Sequence, residues 1–175
     1  MLVDFFKFIL ELKNIKRKGW IDKLDIKNPE SVADHSYSLA FMSIILSELQ
    51  GLDSNRVVKM ALLHDLAESQ IGDFTPNEIS KEKKLELENN EMKKILKNLP
   101  KELIKEYQTI WDDFLMNTSN EALFVHEMDK FEMVFQAKTY MNRGISKEKI
   151  QPFIDSANIE IKNKQLKEIV AKFFN

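Results

Sequence analysis

Leu62 to Pro76 reads "LLHDLAESQIGDFTP", and within it an apolar helical run acquires His64, Asp65, Glu68 and Asp73. Glu68 falls four residues after His64 and three after Asp65, which lets it share a helical face with either of them. Carboxylates crowded together repel one another unless a cation joins them, and a neutral imidazole is a good metal donor. The chemistry open to this set is therefore metal binding, with an acidic group to spare for moving protons. Adjacent helical residues point about 100° apart, so a cation gripping both His64 and Asp65 must lie where another helix crosses. The chain has three histidines. His35, in "PESVADHS", is the natural donor from that crossing helix, and a carboxylate from elsewhere would complete the set. His126, alone on a mostly apolar helix, reads as a hydrogen-bonded core residue.

Composition narrows the donors further. No cysteine occurs among the 175 residues, so thiol catalysis, disulfides and thiolate metal sites are excluded and any metal must be held by His, Asp and Glu. Two imidazoles with two carboxylates make a mixed nitrogen and oxygen site, suited to Mn²⁺, Co²⁺, Fe²⁺, Ni²⁺ or Zn²⁺ rather than Ca²⁺. The 26 basic and 28 acidic residues leave a net charge of −2, and neither sign dominates a long segment. That balance gives no reason to expect a nucleic-acid partner. The N-terminus, "MLVDFFKFILELKNIKRKGW", is apolar but broken by Asp4, Lys7, Glu11 and Lys13, and it suits neither a signal peptide nor a membrane span. A cytoplasmic protein without a membrane partner is the expectation.

The elements that must position these residues are helices. Four glycines and four prolines fall mostly between segments of helical apolar spacing, and no alternating strand pattern occurs. The spacing predicts a first helix over 2–15, a loop over 16–30, and a second helix from an Ser31 N-cap to about residue 49. Gly51 ends it. Ser54 then caps a third helix reaching Glu68. Thr75-Pro76-Asn77-Glu78 reads as a capping box opening a long fourth helix whose dense Lys and Glu suggest a solvated face without a function. A fifth helix runs from Pro100 through Met116. Thr118 to Glu121 caps a sixth that ends near Gly144, and Pro152 is expected in the first turn of another. With 43% apolar residues, the chain can bury one core. The expected architecture is all-α, a compact bundle of about seven helices forming one domain over 1–175.

Taken in order, "RKGW", "NPESVADHS", "ALLHDLAESQIGDFTP" and "FVHEMDKFEM" resemble the HD-domain metal-dependent phosphohydrolases, and within them the 5′-deoxynucleotidase branch. The family signature of a His, an adjacent His-Asp and a distant Asp matches His35, His64, Asp65 and Asp129. Glu68 and Asp73 match extra acidic positions of the deoxynucleotidase branch. The resemblance implies hydrolysis of deoxyribonucleoside 5′-monophosphates to deoxynucleoside and phosphate, and a homodimer. Glu68 would orient or deprotonate water, and Asp73, beyond Gly72, would protonate the leaving sugar oxygen. Arg17 would grip the phosphate, with Trp20 and Glu30 also at the substrate end. Trp20 has two readings, a loop anchor on the core and a wall against the deoxyribose. Two other functions stay open: hydrolysis of another nucleotide, such as a cyclic nucleotide or a guanosine polyphosphate, and a non-catalytic metal-containing nucleotide-binding module.

Overall fold

Helical spacing in the sequence becomes ten helices among residues 2–174, the part of the chain that this computed structural model describes. They are α1 (Leu2–Glu11), α2 (Lys18–Leu24), α3 (Val32–Gln50), α4 (Ser54–Leu63), α5 (Glu68–Ile71), α6 (Lys81–Leu96), α7 (Lys101–Met116), α8 (Asn120–Asn142), α9 (Lys147–Glu160) and α10 (Lys164–Phe174). No strand occurs among the described residues; Lys16 and Ser31 form one isolated bridge. The all-α class agrees with expectation. The count exceeds seven chiefly because α2 lies inside the span read as a loop and the third helix divides into α4 and α5.

Three of these elements decide where the site forms. Ser31 caps α3 by accepting from the Asp34 N–H at 3.1 Å, while its own N–H donates to Asp34 Oδ2 at 2.8 Å. This reciprocal box satisfies donors that a helix start leaves orphaned. It also occupies Asp34 at the helix end, while the next residue, His35, is fully buried. Gly51 then takes the left-handed conformation (φ 69°) that other residues resist, and closes α3 onto Ser47 and Glu48 carbonyls. Only Leu52 and Asp53 separate that glycine from α4, so α3 and α4 pack side by side. Helix α8 lies against both. The main core joins them through Val32, Leu39, Met60, Ala61, Val125 and Met128, all buried. A second, smaller cluster of Trp20, Leu24, Ala137, Tyr140, Ile150 and Phe153 ties α2 to α8 and α9.

Several boundaries move from their expected places. Asp53, not Ser54, caps α4, accepting from the Arg56 N–H at 3.0 Å. Thr75 and Glu78 do pair, with Thr75 N–H donating to Glu78 Oε2 at 2.9 Å, but they close a single turn. The long helix starts later, at an Ser80 N-cap. Ser119 caps α8, and Pro152 sits inside α9 rather than in its first turn.

Candidate metal centre

The third helix changes its winding where the chemistry begins. After Leu63 the α pattern gives way to bonds spanning three residues: Leu66 N–H to Leu63 O, Glu68 N–H to Asp65 O, Ser69 N–H to Leu66 O. At three residues per turn, side chains three apart eclipse, so Asp65 and Glu68 stack on one face. Gly72, at φ 79°, then ends α5 and turns the chain so that Asp73 follows it back toward the same cavity. From the other side α3 delivers His35 and α8 delivers Asp129.

His35 Nε2 lies 3.3 Å from His64 Nε2 and 3.2 Å from Asp129 Oδ1. Asp65 Oδ2 joins from the His64 side, 2.9 Å from His64 Nε2 and 4.0 Å from His35 Nε2. His64 Nδ1 is 2.7 Å from the Ala61 carbonyl, which can only accept, so that nitrogen carries the hydrogen. His35 Nδ1 stands likewise 2.6 Å from Glu132 Oε2. Both Nε2 lone pairs are thereby aimed at one point, where two carboxylates also converge. Four acceptors around one point favour a cation, and Arg17 and Lys130 already meet the two carboxylates from outside. The protonation behaviour agrees: burial and Arg17 oppose charge on His35, yet Asp129 and Glu132 outweigh them and raise its pKa to about 10. A metal would compete with that proton for the same nitrogen. Of the four residues expected as ligands, His35, His64 and Asp129 satisfy the distances among ligand atoms that one ion needs, and Asp65 stands beside them against His64.

Around this center the remaining residues line a cavity of about 250 Å³, with Arg17, Trp20, Asp65, Asp73, Phe74 and Asp129 on its wall. Glu68 is fully buried, its Oε1 accepts from Lys84 Nζ at 3.0 Å, and its Oε2 has no hydrogen-bond partner among the described residues. Burial, with Asp65 and Asp73 nearby, raises its pKa well above the usual carboxylate value. Asp73 Oδ2 accepts from the Lys18 N–H at 2.8 Å, an orphan donor of the first turn of α2. Arg17 Nη1 reaches Asp65 Oδ2 at 3.2 Å, and Nη2 stands 4.0 Å from Asp129. Its guanidinium therefore faces two of the acceptors directly.

Trp20 combines features of its two readings. It is 2% exposed and seated against Tyr140 and Phe153, an anchor, yet one edge lines the cavity. Its indole N–H donates to Glu30 Oε1 at 2.8 Å, and Glu30 does not line the cavity but stands with His35 and Glu132, whose ligand atoms and its own lie within 4.8 Å of one another. His126 donates to or accepts from nothing in the metal centre. Its Nε2 bonds the Phe114 carbonyl at 2.9 Å and its ring stacks on Phe114, as the core reading expected. Two residues escaped sequence reasoning. Glu132 holds His35 and stands three residues after Asp129, a spacing that could have revealed it. Lys84 comes from the helix read as a solvated face, and that reading fails for it: nothing distinguishes Lys84 from its charged neighbours until the fold turns it inward.

Comparison with known proteins agrees with this geometry. A family model described as "HD domain" matches residues 9–170. A Dictyostelium discoideum protein named 5′-deoxynucleotidase HDDC2 is 42% identical over 165 residues, covering 88% of this chain and 86% of that protein. The human protein of the same name is 34% identical over 172 residues, covering 98% and 83%. Among solved structures, a conserved hypothetical protein from Pyrococcus furiosus superposes with a TM-score of 0.80 at 29% identity, covering 97% of both chains.

Proposed function

Because the chain belongs to the HD domain family, as the match over residues 9–170 establishes, we infer that it is a metal-dependent 5′-deoxynucleotidase. It hydrolyses deoxyribonucleoside 5′-monophosphates to deoxynucleoside and phosphate. The observation that carries this reading is the convergence of His35, His64, Asp65 and Asp129 on one point beside Glu68, whose Oε2 is buried and unpartnered. Relatives named 5′-deoxynucleotidase, aligned over most of their length, support the substrate class.

Held by those four residues, a divalent transition metal supplies Lewis acidity toward the phosphate and the attacking water. The chain's own groups do the rest. Glu68 offers its free oxygen to the water, and a carboxylate with a raised pKa can hold the proton it takes. Asp73 stands beyond Gly72 on the cavity wall, from which it protonates the departing sugar oxygen. Arg17 supplies a forked, charge-assisted grip on the phosphate, exchanging contacts with Asp65 and Asp129 for contacts with substrate oxygens. Trp20 and Glu30 shape the sugar end. Phosphate release from dAMP by the purified protein, with Mn²⁺ or Co²⁺ added, tests the reading. Release from deoxynucleoside monophosphates supports it, whereas release only from other phosphoesters, or none with metal bound, overturns it. Within that assay Glu68→Gln should keep its metal and lose on the order of 10²–10⁴-fold in turnover; loss of metal instead would make Glu68 a ligand.

A homodimer belongs to the same reading. Tyr37, Phe41, Ile45 and Leu49 are exposed at four-residue intervals on α3, an apolar stripe that a two-fold copy of the same helix would cover. Sedimentation velocity tests this, and a monomer at assay concentrations refutes it. A cytoplasmic location is inferred with it and is checked by cell fractionation; among the described residues no helix is long and apolar enough to cross a membrane.

A further inference from the structure

Helix α6 carries its charges in two ways. Lys83 with Glu86, and Lys94 with Glu91, are pairs one turn apart on an exposed face, of the kind that contributes little. Lys84 is different. It lies 3.0 Å from Glu68 Oε1, 3.4 Å from Glu88 Oε1 and 3.9 Å from Asp73 Oδ1, and it is half-buried at the junction of the 250 Å³ cavity with a groove of about 620 Å³. Burial opposes its charge, but Glu68, Asp65 and Glu88 raise its pKa beyond the usual lysine value, so it remains an ammonium.

What an ammonium does there follows from two of its three carboxylate neighbours, Glu68 and Asp73, and this step rests on the roles given above to them. In an in-line displacement the water oxygen forms its bond to phosphorus as the bond from phosphorus to the sugar oxygen breaks. The water's proton passes to Glu68, and the proton of Asp73 passes to the sugar oxygen. The transferring phosphoryl group must then lie between these two carboxylates. Lys84 Nζ, which reaches toward both, faces the place of the three equatorial oxygens, over which the transition state spreads its charge. We propose that Lys84 is a further catalytic residue, donating from Nζ to a non-bridging phosphoryl oxygen. It transfers no proton. Until substrate arrives, Glu68 and Glu88 hold the ammonium, at 3.0 and 3.4 Å.

The competing reading is that Lys84 only neutralises and positions Glu68. Steady-state kinetics on dAMP separates the two when combined with product inhibition by inorganic phosphate and by deoxyadenosine, using the metal-loaded wild type, Lys84→Met, Lys84→Gln and Lys84→Arg. Metal content and melting temperature are measured on each. The proposal expects Lys84→Met and Lys84→Gln to lose roughly 10²–10³-fold in kcat, the scale of losing one transition-state donor. Inhibition by phosphate should weaken about tenfold or more, inhibition by deoxyadenosine should not change, and Lys84→Arg should recover part of the rate. A fall in kcat with phosphate inhibition intact makes Lys84 a positioning residue and overturns the proposal, as does an unchanged kcat. Loss of metal or folding in all three variants assigns Lys84 to structure and also overturns it. A wild type inactive on dAMP would instead overturn the nucleotidase reading itself.

Discussion

Among the described residues, the Asp113 cluster and the metal centre are satisfied in opposite ways. At the junction of α4, α7 and α8, Asp113 Oδ1 accepts from Thr118 Oγ1 at 2.8 Å and from the Ser119 N–H at 3.1 Å. Its Oδ2 accepts from Ser119 Oγ at 2.6 Å and from Arg56 Nε and Nη2 at 3.3 and 2.7 Å. One carboxylate meets enough donors to satisfy both oxygens. In the metal centre acceptors outnumber donors: two Nε2 lone pairs, Asp65, Asp129 and Glu68 share Arg17, Lys84 and Lys130. A cluster that closes its own hydrogen bonds holds the fold together. One that leaves acceptors facing a single point is arranged for something that arrives later.

The sharpest way to break that contrast is to remove a ligand. Asp65→Ala or His64→Ala should abolish turnover, a larger loss than the one expected of Glu68→Gln, and bound metal should disappear with it. Metal bound only by the folded state adds RT ln(1 + [L]/Kd) to stability. EDTA should therefore lower the melting temperature of the wild type and leave that of either variant where it was. Elemental analysis and melting curves with and without chelator check this. Full metal stoichiometry with the wild-type chelator response would remove these residues from the ligand set.

The opposite cluster predicts an effect on stability alone. Burial works against the charge on Asp113, but the Ser119, Arg56 and Thr118 donors outweigh it and lower its pKa from 3.8 to about 2. Between those values the unfolded chain binds more protons than the folded protein. The stability Asp113 contributes is complete above about pH 4 and is lost as pH falls through about 2, amounting to no more than about 2 kcal/mol once solvent screening is allowed for. Urea midpoints measured from neutral pH down to about 2 should converge for wild type and Asp113→Asn, with the variant the less stable at neutral pH and its turnover unchanged. Parallel curves at all pH values would show that Asp113 does not titrate as its contacts require.

The difference between the clusters also explains what could be read from sequence. His35, His64 and Asp65 were legible because a metal demands particular donor types, and spacing on a helix brings them to a crossing. Asp129 needed a family resemblance, since a lone Asp far along the chain carries no local signal, whereas Asp73 stood out within its own stretch and only its role as an acid came from the resemblance. The Asp113 network was invisible: Arg56 and Asp113 lie 57 residues apart and become partners only when α4 meets α7. The turn after Leu63 was misread as continuing helix, because its residues favour either winding and the choice is made by packing. Helix α2 was hidden by its shortness and by Gly19, and its N-terminus is completed by Asp73, which is 55 residues away.

Trp20 lies between the two kinds of region, with one face in a satisfied core and one edge on the reactive cavity, and it carries the smallest effect. Its burial against Tyr140 and Phe153 makes Trp20→Ala a poor test, because emptying such a site costs about 3–5 kcal/mol. Trp20→Phe keeps a ring in the cluster while removing the indole N–H that donates to Glu30 and trimming the edge on the cavity. If that edge denies space to a 2′-hydroxyl, the variant should turn over AMP better relative to dAMP. Shape discrimination in a pocket rarely exceeds about 1–3 kcal/mol, and with a ring retained only part of that is released, so a change of about tenfold is expected. The melting temperature should fall by a few degrees, for a domain of this size about 1 kcal/mol. The ratio of kcat/KM for the two nucleotides is the decisive readout, since a purely structural tryptophan would lower both together. An equal loss on AMP and dAMP would return Trp20 wholly to the core that α2 shares with α8 and α9, leaving the choice of sugar to other residues on the cavity wall.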